Sequence, residues 1–106
     1  MTSREERLAA NEVLFRHVNE RINELTDRWS GELDLVCECA DAACIQRIVL
    51  TVGEYEDVRQ NPHHFAVLPG HEIPDVEDVA ARNDRYLIVE KHVETHAQTE
   101  EADPRS

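Results

Sequence analysis

The sequence predicts a small α+β domain. The prediction rests on a long charged N-terminal segment with apolar residues spaced by threes and fours, on short β-branched runs set apart by Gly, Pro and Asn-Asp, and on a length of 106 residues that suits one modest core.

The first segment reads as a helix over about residues 3–29, with Thr2 or Ser3 as its cap. Leu8, Phe15, Val18, Ile22, Leu25 and Trp29 recur in heptad spacing, with Asn11 filling the one gap. About 26 helical residues extend about 39 Å, more than a domain of this size needs for itself. The stripe therefore either covers the sheet, as its widening by Leu14 favours, or pairs in part with a second copy through Leu8, Phe15 and Ile22, giving a homodimer.

Ser30-Gly31 breaks the helix. Residues 32–39 alternate polar and apolar, residues 45–51 are β-branched and apolar, and the short link over 40–44 makes the pair an antiparallel hairpin. Thr51 with Glu54 is a capping box for a short helix to about Gln60, stopped by Asn61-Pro62, with Val52, Tyr55 and Val58 inward. Residues 65–68 form a third strand, cut by a Pro69-Gly70 turn that presents His71. Pro74 opens a second short helix over 75–82, with Val76, Val79 and Ala80 on its apolar side. After an Asn83-Asp84 turn, residues 86–90 form the fourth strand. The expected architecture is thus a long N-terminal helix and a mostly antiparallel four-stranded sheet with two short helices and a zinc-stapled hairpin. Residues 1–92 make one domain, and 93–106 an acidic, disordered tail.

All three cysteines fall within VCECADAACIQR, as C-x-C-x4-C at Cys37, Cys39 and Cys44. On a strand, residues two apart face one side, so Cys37 and Cys39 project together with Leu33 and Leu35. The small residues from Ala40 to Ala43 let the chain curl back and bring Cys44 to them. Three thiolates around one point repel unless a cation neutralises them, and soft ligands at tetrahedral spacing suit Zn2+. Core filling and thiol redox chemistry are the alternatives, and the concentration of every thiol at one hairpin argues against the first. A Cys37–Cys39 disulfide is strained, because extended residues two apart hold their Cα atoms near the upper limit for a bridge. His71 leads as fourth ligand because the turn fixes it at a strand end; His64 and then His63 follow. His17, His92 and His96 read as solvated surface.

The order LVCECADAAC, then RIVLTVGEYEDVRQNPHHFAVLPGHEIPDVEDV, then DRYLIVEK resembles an uncharacterised group of short acidic actinobacterial proteins with a C-x-C hairpin and a PGH turn. NEVLFRHVNERI in the long helix is similar too. The resemblance implies that Cys37, Cys39, Cys44 and His71 act as a set, and it implies no activity.

Three cysteines and a histidine close a tetrahedron, the pattern of a structural site, whereas a catalytic zinc keeps one position open. A small hydrolase using His71 with Glu72, or Glu38, is the weaker reading, and no phosphate loop, nucleophile elbow or deaminase motif is present. The expected role is a non-enzymatic, zinc-stabilised interaction or regulatory module, with a zinc-releasing redox or metal sensor as the alternative. An odd cysteine count and the lack of an apolar run near 20 residues point to a cytoplasmic protein. With 11 basic against 23 acidic residues and a formal charge of -12, the chain repels phosphates and anionic lipids and favours a protein partner with a basic surface. DNA and RNA gel shifts near physiological salt are expected to show no complex.

Overall fold

The computed structural model describes residues 4–26, 31–41, 43–44, 46–92 and 96–103. The fold class is α+β, as the sequence predicts. Helix α1 (Arg4–Leu25) leads into strands β1 (Glu32–Val36) and β2 (Arg47–Thr51), then helix α2 (Val52–Arg59). Strands β3 (His64–Val67), β4 (Glu77–Arg82) and β5 (Leu87–Lys91) follow, and then helix α3 (His96–Glu101). The described strands make two antiparallel sheets, β1-β2 and β3-β5-β4, where one four-stranded sheet was expected. Thr2, Ser3 and Trp29, to which capping and seam roles fall, lie outside the described residues.

The hairpin forms as its alternation demands. Leu33 faces Leu50 and Leu35 faces Ile48 across the ladder, and all four are buried while their neighbours are exposed or half-buried. Thr51 then caps α2: its hydroxyl accepts from the Glu54 amide at 3.1 Å, and the Glu54 carboxylate accepts from the Thr51 amide at 2.8 Å. A hydrogen bond from Arg85, ahead of that amide, holds the Glu54 carboxyl down at about 2. Tyr55 and Val58 of α2 complete a core with the hairpin and with Ala66, Tyr86 and Ile88 of the second sheet's region. A second core gathers Val13, Cys37, Cys39, Phe65, Val67, Leu87 and Val89.

Residues 77–82 are a strand and not part of the expected helix over 75–82. Val76, Val79 and Ala80 fit either period, and pairing decides between them. Strand β5 presents a free ladder, Asn83 turns the chain by accepting from the Arg85 and Tyr86 amides, and the two strands zip with a bulge between Val79 and Ala81.

Helix α1 packs on a different face from the one expected. Ile22 reaches the first core, but the buried positions are Ala9, Glu12, Val13, Arg16, Asn19, Glu20 and Asn23. A polar face can be buried when remote partners satisfy it. Glu12 meets the Lys91 ammonium at 2.7 Å, Arg16 donates to the Pro62 carbonyl at 2.7 Å and stacks over the Phe65 ring, and Glu20 pairs with Arg59. The expected disordered tail also contains structure. Helix α3 is docked by polar contacts, which leave no apolar period in the sequence: Asp103 pairs with Arg59, the His17 ring meets the Ala102 carbonyl at 2.9 Å, and Gln98 donates to the Glu6 carbonyl at 2.9 Å.

Lys91 is shared by two carboxylates, with Glu77 at 3.4 Å opposite Glu12. Burial first, and Glu77 next, push the Glu12 carboxyl up to about 8 against the pull of Lys91. A group raised on folding contributes its full stability below its unfolded value, here near 4.5, and loses it as pH rises through the folded value. The slope is at most about 1.4 kcal/mol per pH unit. Thermal melts of Glu12→Gln and the parent at matched pH are expected to diverge in favour of the variant between pH 5 and 8, roughly the span between those two values.

Candidate metal centre

The cysteine segment is aimed by its backbone. Past Val36 the chain leaves the hairpin but stays extended: the Cys37 amide still donates to the Gln46 carbonyl at 3.0 Å. The next residue splices it to the other sheet. The Glu38 amide donates to the Ala66 carbonyl at 2.9 Å, and the Glu38 carboxylate accepts from the Ala66 amide at 3.0 Å. With Glu38 thus turned toward its partners, extended alternation places Cys37 and Cys39 together on the other side. Both are buried, at 1% and 2% exposure.

Two helix asparagines hold the outer edge of this segment. Asn19 accepts from the Val36 amide at 2.8 Å and donates to the Val36 carbonyl and the Glu38 carboxylate, each at 2.9 Å. Asn11 donates to the Ala40 carbonyl at 2.7 Å. Asn11, Asn19 and the positioning role of Glu38 were missed in the sequence. The available signal was asparagine inside a helix, where it is a poor former and therefore needs a reason.

Cys44 is returned to the cluster by a tight turn, in which Asp41 accepts from the Ala43 amide at 2.9 Å through its side chain and from the Cys44 amide at 3.0 Å through its carbonyl. His71 is supplied by the Leu68-Pro69-Gly70-His71 turn. The His71 amide donates to the Leu68 carbonyl at 3.0 Å, and Gly70 sits at φ 94°, where a side chain is strained, as a type II turn requires. The same turn also donates the Leu68 amide to the Cys37 sulfur at 3.3 Å, which favours the thiolate.

The four donor atoms of Cys37, Cys39, Cys44 and His71 lie within 4.8 Å of one another, close enough to bind a metal ion. The His71 Nδ1 atom is 3.5 Å from the Cys37 sulfur and 3.7 Å from the Cys44 sulfur. Tetrahedral zinc with its usual Zn–S and Zn–N bonds needs an S···N edge of about 3.6 Å, which these two edges match. A hydrogen bond from Cys39, opposed by burial, lowers the Cys37 thiol, and that same bond together with burial raises Cys39. Burial also raises Cys44. Thiols alone therefore ionise unequally, and a bound cation removes the penalty for all three.

The other candidates are engaged elsewhere. His64 lies 3.8 Å from Glu90, and His63 stacks on His96 at 3.7 Å while meeting the Thr99 hydroxyl at 2.9 Å. His92 faces Asp78 at 3.4 Å, so the His92 and His96 rings do not form a pair of ligands. The carboxylates considered for acid-base work are likewise committed: Glu72 accepts from the Gly70 amide at 2.7 Å, and Glu38 is bound as described. Among the described residues no helix is long and apolar enough to cross a membrane. Comparison with protein-family models, curated proteins and solved structures gives no match for this chain.

Metal analysis of the purified chain is expected to give one zinc per chain. Cys39→Ala is expected to lower the melting temperature strongly and abolish retention of the metal, while His64→Ala keeps both. The reverse ranking would move the fourth ligand.

Proposed function

We propose that the chain is a non-enzymatic interaction or regulatory module, stabilised by zinc and working in the reducing cytoplasm. The observation that carries this reading is the convergence of three sulfurs and one imidazole nitrogen within 4.8 Å, on segments drawn from two different sheets. Such a set fills all four positions of tetrahedral zinc and leaves none for a reacting water, so it supports a structural rather than a catalytic ion. The chemistry that zinc supplies here is cohesion. Cys37 and Cys39 come from the end of the hairpin and His71 from the turn after β3, so one ion ties the two sheets together beside the Glu38–Ala66 bridge.

The partner that fits a formal charge of -12 is a protein with a basic surface, met faster at low salt because the acidic body attracts it over about a Debye length. Nucleic acid and membrane surfaces are disfavoured on the same ground. The resemblance to short acidic actinobacterial proteins bears on the ligand set and leaves the function open.

A sensor is the second reading, favoured by one feature. Cys44 and His71 are half-buried while Cys37 and Cys39 are enclosed, so one edge of the centre is open to an oxidant or a competing chelator. A zinc-indicator titration separates the two. For a structural ion, a chelator is expected to remove zinc only together with near-ultraviolet circular dichroism and the melting transition. Reversible release under mild peroxide, with the fold retained, would establish the sensor and sink the structural reading.

A further inference from the structure

The face of the β3-β5-β4 sheet that meets α2 is closed over β3 and β5 and open toward β4. Ala66, Ile88 and Ala81 stand in one row across it, since Ala66 pairs with Ile88 and Ile88 with Ala81. Tyr55 and Val58 of α2 pack with Ala66 and Ile88 in the first core, whereas Ala80 and Ala81 are exposed. Two methyl groups do not fill the space beside the helix, and a cavity of about 220 Å³ remains there. Val58, Ala80, Ala81, Tyr86 and Ile88 give it apolar walls, and Glu54, Asp57 and His64 supply its polar lining. Small-molecule sites start near about 300 Å³, so this space suits a single side chain better than a cofactor.

The charges around the cavity are mostly negative. Glu54 and Asp57 are three residues apart on α2 and so share one face. Strand register sets Glu90 and Asp78 in the row next to Ile88 and Ala81, with the His64 ring 3.8 Å from Glu90 and the His92 ring 3.4 Å from Asp78. Arg82 alternates to the opposite face with Leu87. Arg85 donates to Glu54 at 3.1 Å, with its guanidinium 5.5 Å from the centre of the Tyr86 ring. The Asp57 side chain has no such partner among the described residues.

We propose, on the reading of the chain as a module for a basic partner, that this cavity receives a lysine or arginine side chain of that protein, its methylenes on Val58, Tyr86 and Ile88 and its charged head on Asp57. Charge complementarity selects the occupant. An aliphatic side chain satisfies the walls and leaves Asp57 without a countercharge, and an acidic one meets Glu54, Asp57, Asp78 and Glu90 together. A lysine or arginine side chain suits both, because its stem is apolar and its head cationic. The chain shows the same fit in Arg85, a guanidinium held between a carboxylate of α2 and the Tyr86 ring. Among the described strands β4 is the outermost of its sheet, so a segment of the partner can approach along that edge.

NMR shift mapping on the full chain tests this, with a short capped peptide of alternating arginine and threonine as probe. The Val58, Ala81 and Ile88 methyl resonances are expected to move, and less so as salt rises. Ala81→Leu fills the cavity and leaves every charge in place, and it is expected to weaken binding at least about tenfold. Asp57→Lys is expected to do the same, while Glu5→Lys, an equal change of charge at an exposed position of α1, alters binding less than about twofold. All three positions are exposed, so circular dichroism and melting are expected to match the parent. Shifts confined to other acidic surfaces, with Ala81→Leu binding as the parent does, would overturn the cavity and leave the basic-partner reading standing. No binding at low salt and millimolar peptide would overturn both. Butylguanidine bound as tightly as the peptide would make the cavity a site for a small cation and would also overturn the proposal.

Discussion

Glu38 is a fully buried carboxylate that the chain keeps inside, and the rest of the structure is arranged around satisfying it. An unpaired charge at such a site is prohibitive, so its oxygens must find donors. One takes the Ala66 amide and the other the Asn19 side chain. Arg16 supplies a countercharge: burial pulls its guanidinium down, and Glu38 is the largest influence holding it up. Because the Glu38 amide also donates to Ala66, the side chain completes a two-bond bridge that a regular strand would make with backbone alone. That bridge joins the hairpin to the three-stranded sheet, and by alternation it sends the neighbouring sulfurs to the opposite side. The placing of the sulfurs and the joining of the two sheets are therefore one constraint.

The polar face of α1 belongs to the same system. Asn19 gives its amide to the Val36 peptide as another strand would, and Asn11 repeats the contact two turns away at Ala40. An apolar helix face could cover this edge but could not satisfy it, since the edge presents peptide groups and a carboxylate that need hydrogen bonds. The helix that fits is one whose hydrophobic residues are displaced outward. Inward asparagine and outward leucine are two results of one requirement.

Local signals made much of the site legible from sequence. Alternation placed Leu33, Leu35, Cys37 and Cys39 on one side, the Thr51-Glu54 box started α2, and Pro69-Gly70 singled out His71 over five other histidines. What could not be read depends on partners far along the chain. Glu12 and Lys91 are 79 residues apart, and Arg59 and Asp103 are 44 apart. No local pattern marks either bond, so heptad spacing put the wrong face of α1 inward and composition alone suggested a free tail. Residues 77–82 failed for a related reason: six residues can satisfy a helical or an extended period equally well, and only the ladder of β5 decides.

The inverted helix has a consequence for the order in which the chain folds. Collapse is driven by apolar surface, and the hairpin, α2 and β3 carry enough of it to find one another through mostly near-neighbour contacts. Helix α1 offers that nucleus little apolar attraction, because its inward groups lose water before they gain partners. It is expected to dock after Val36, Glu38, Arg59 and Lys91 are in place to receive it. Substitutions on its inner face are therefore expected to act chiefly on the rate of unfolding, and those in the hairpin on the rate of folding.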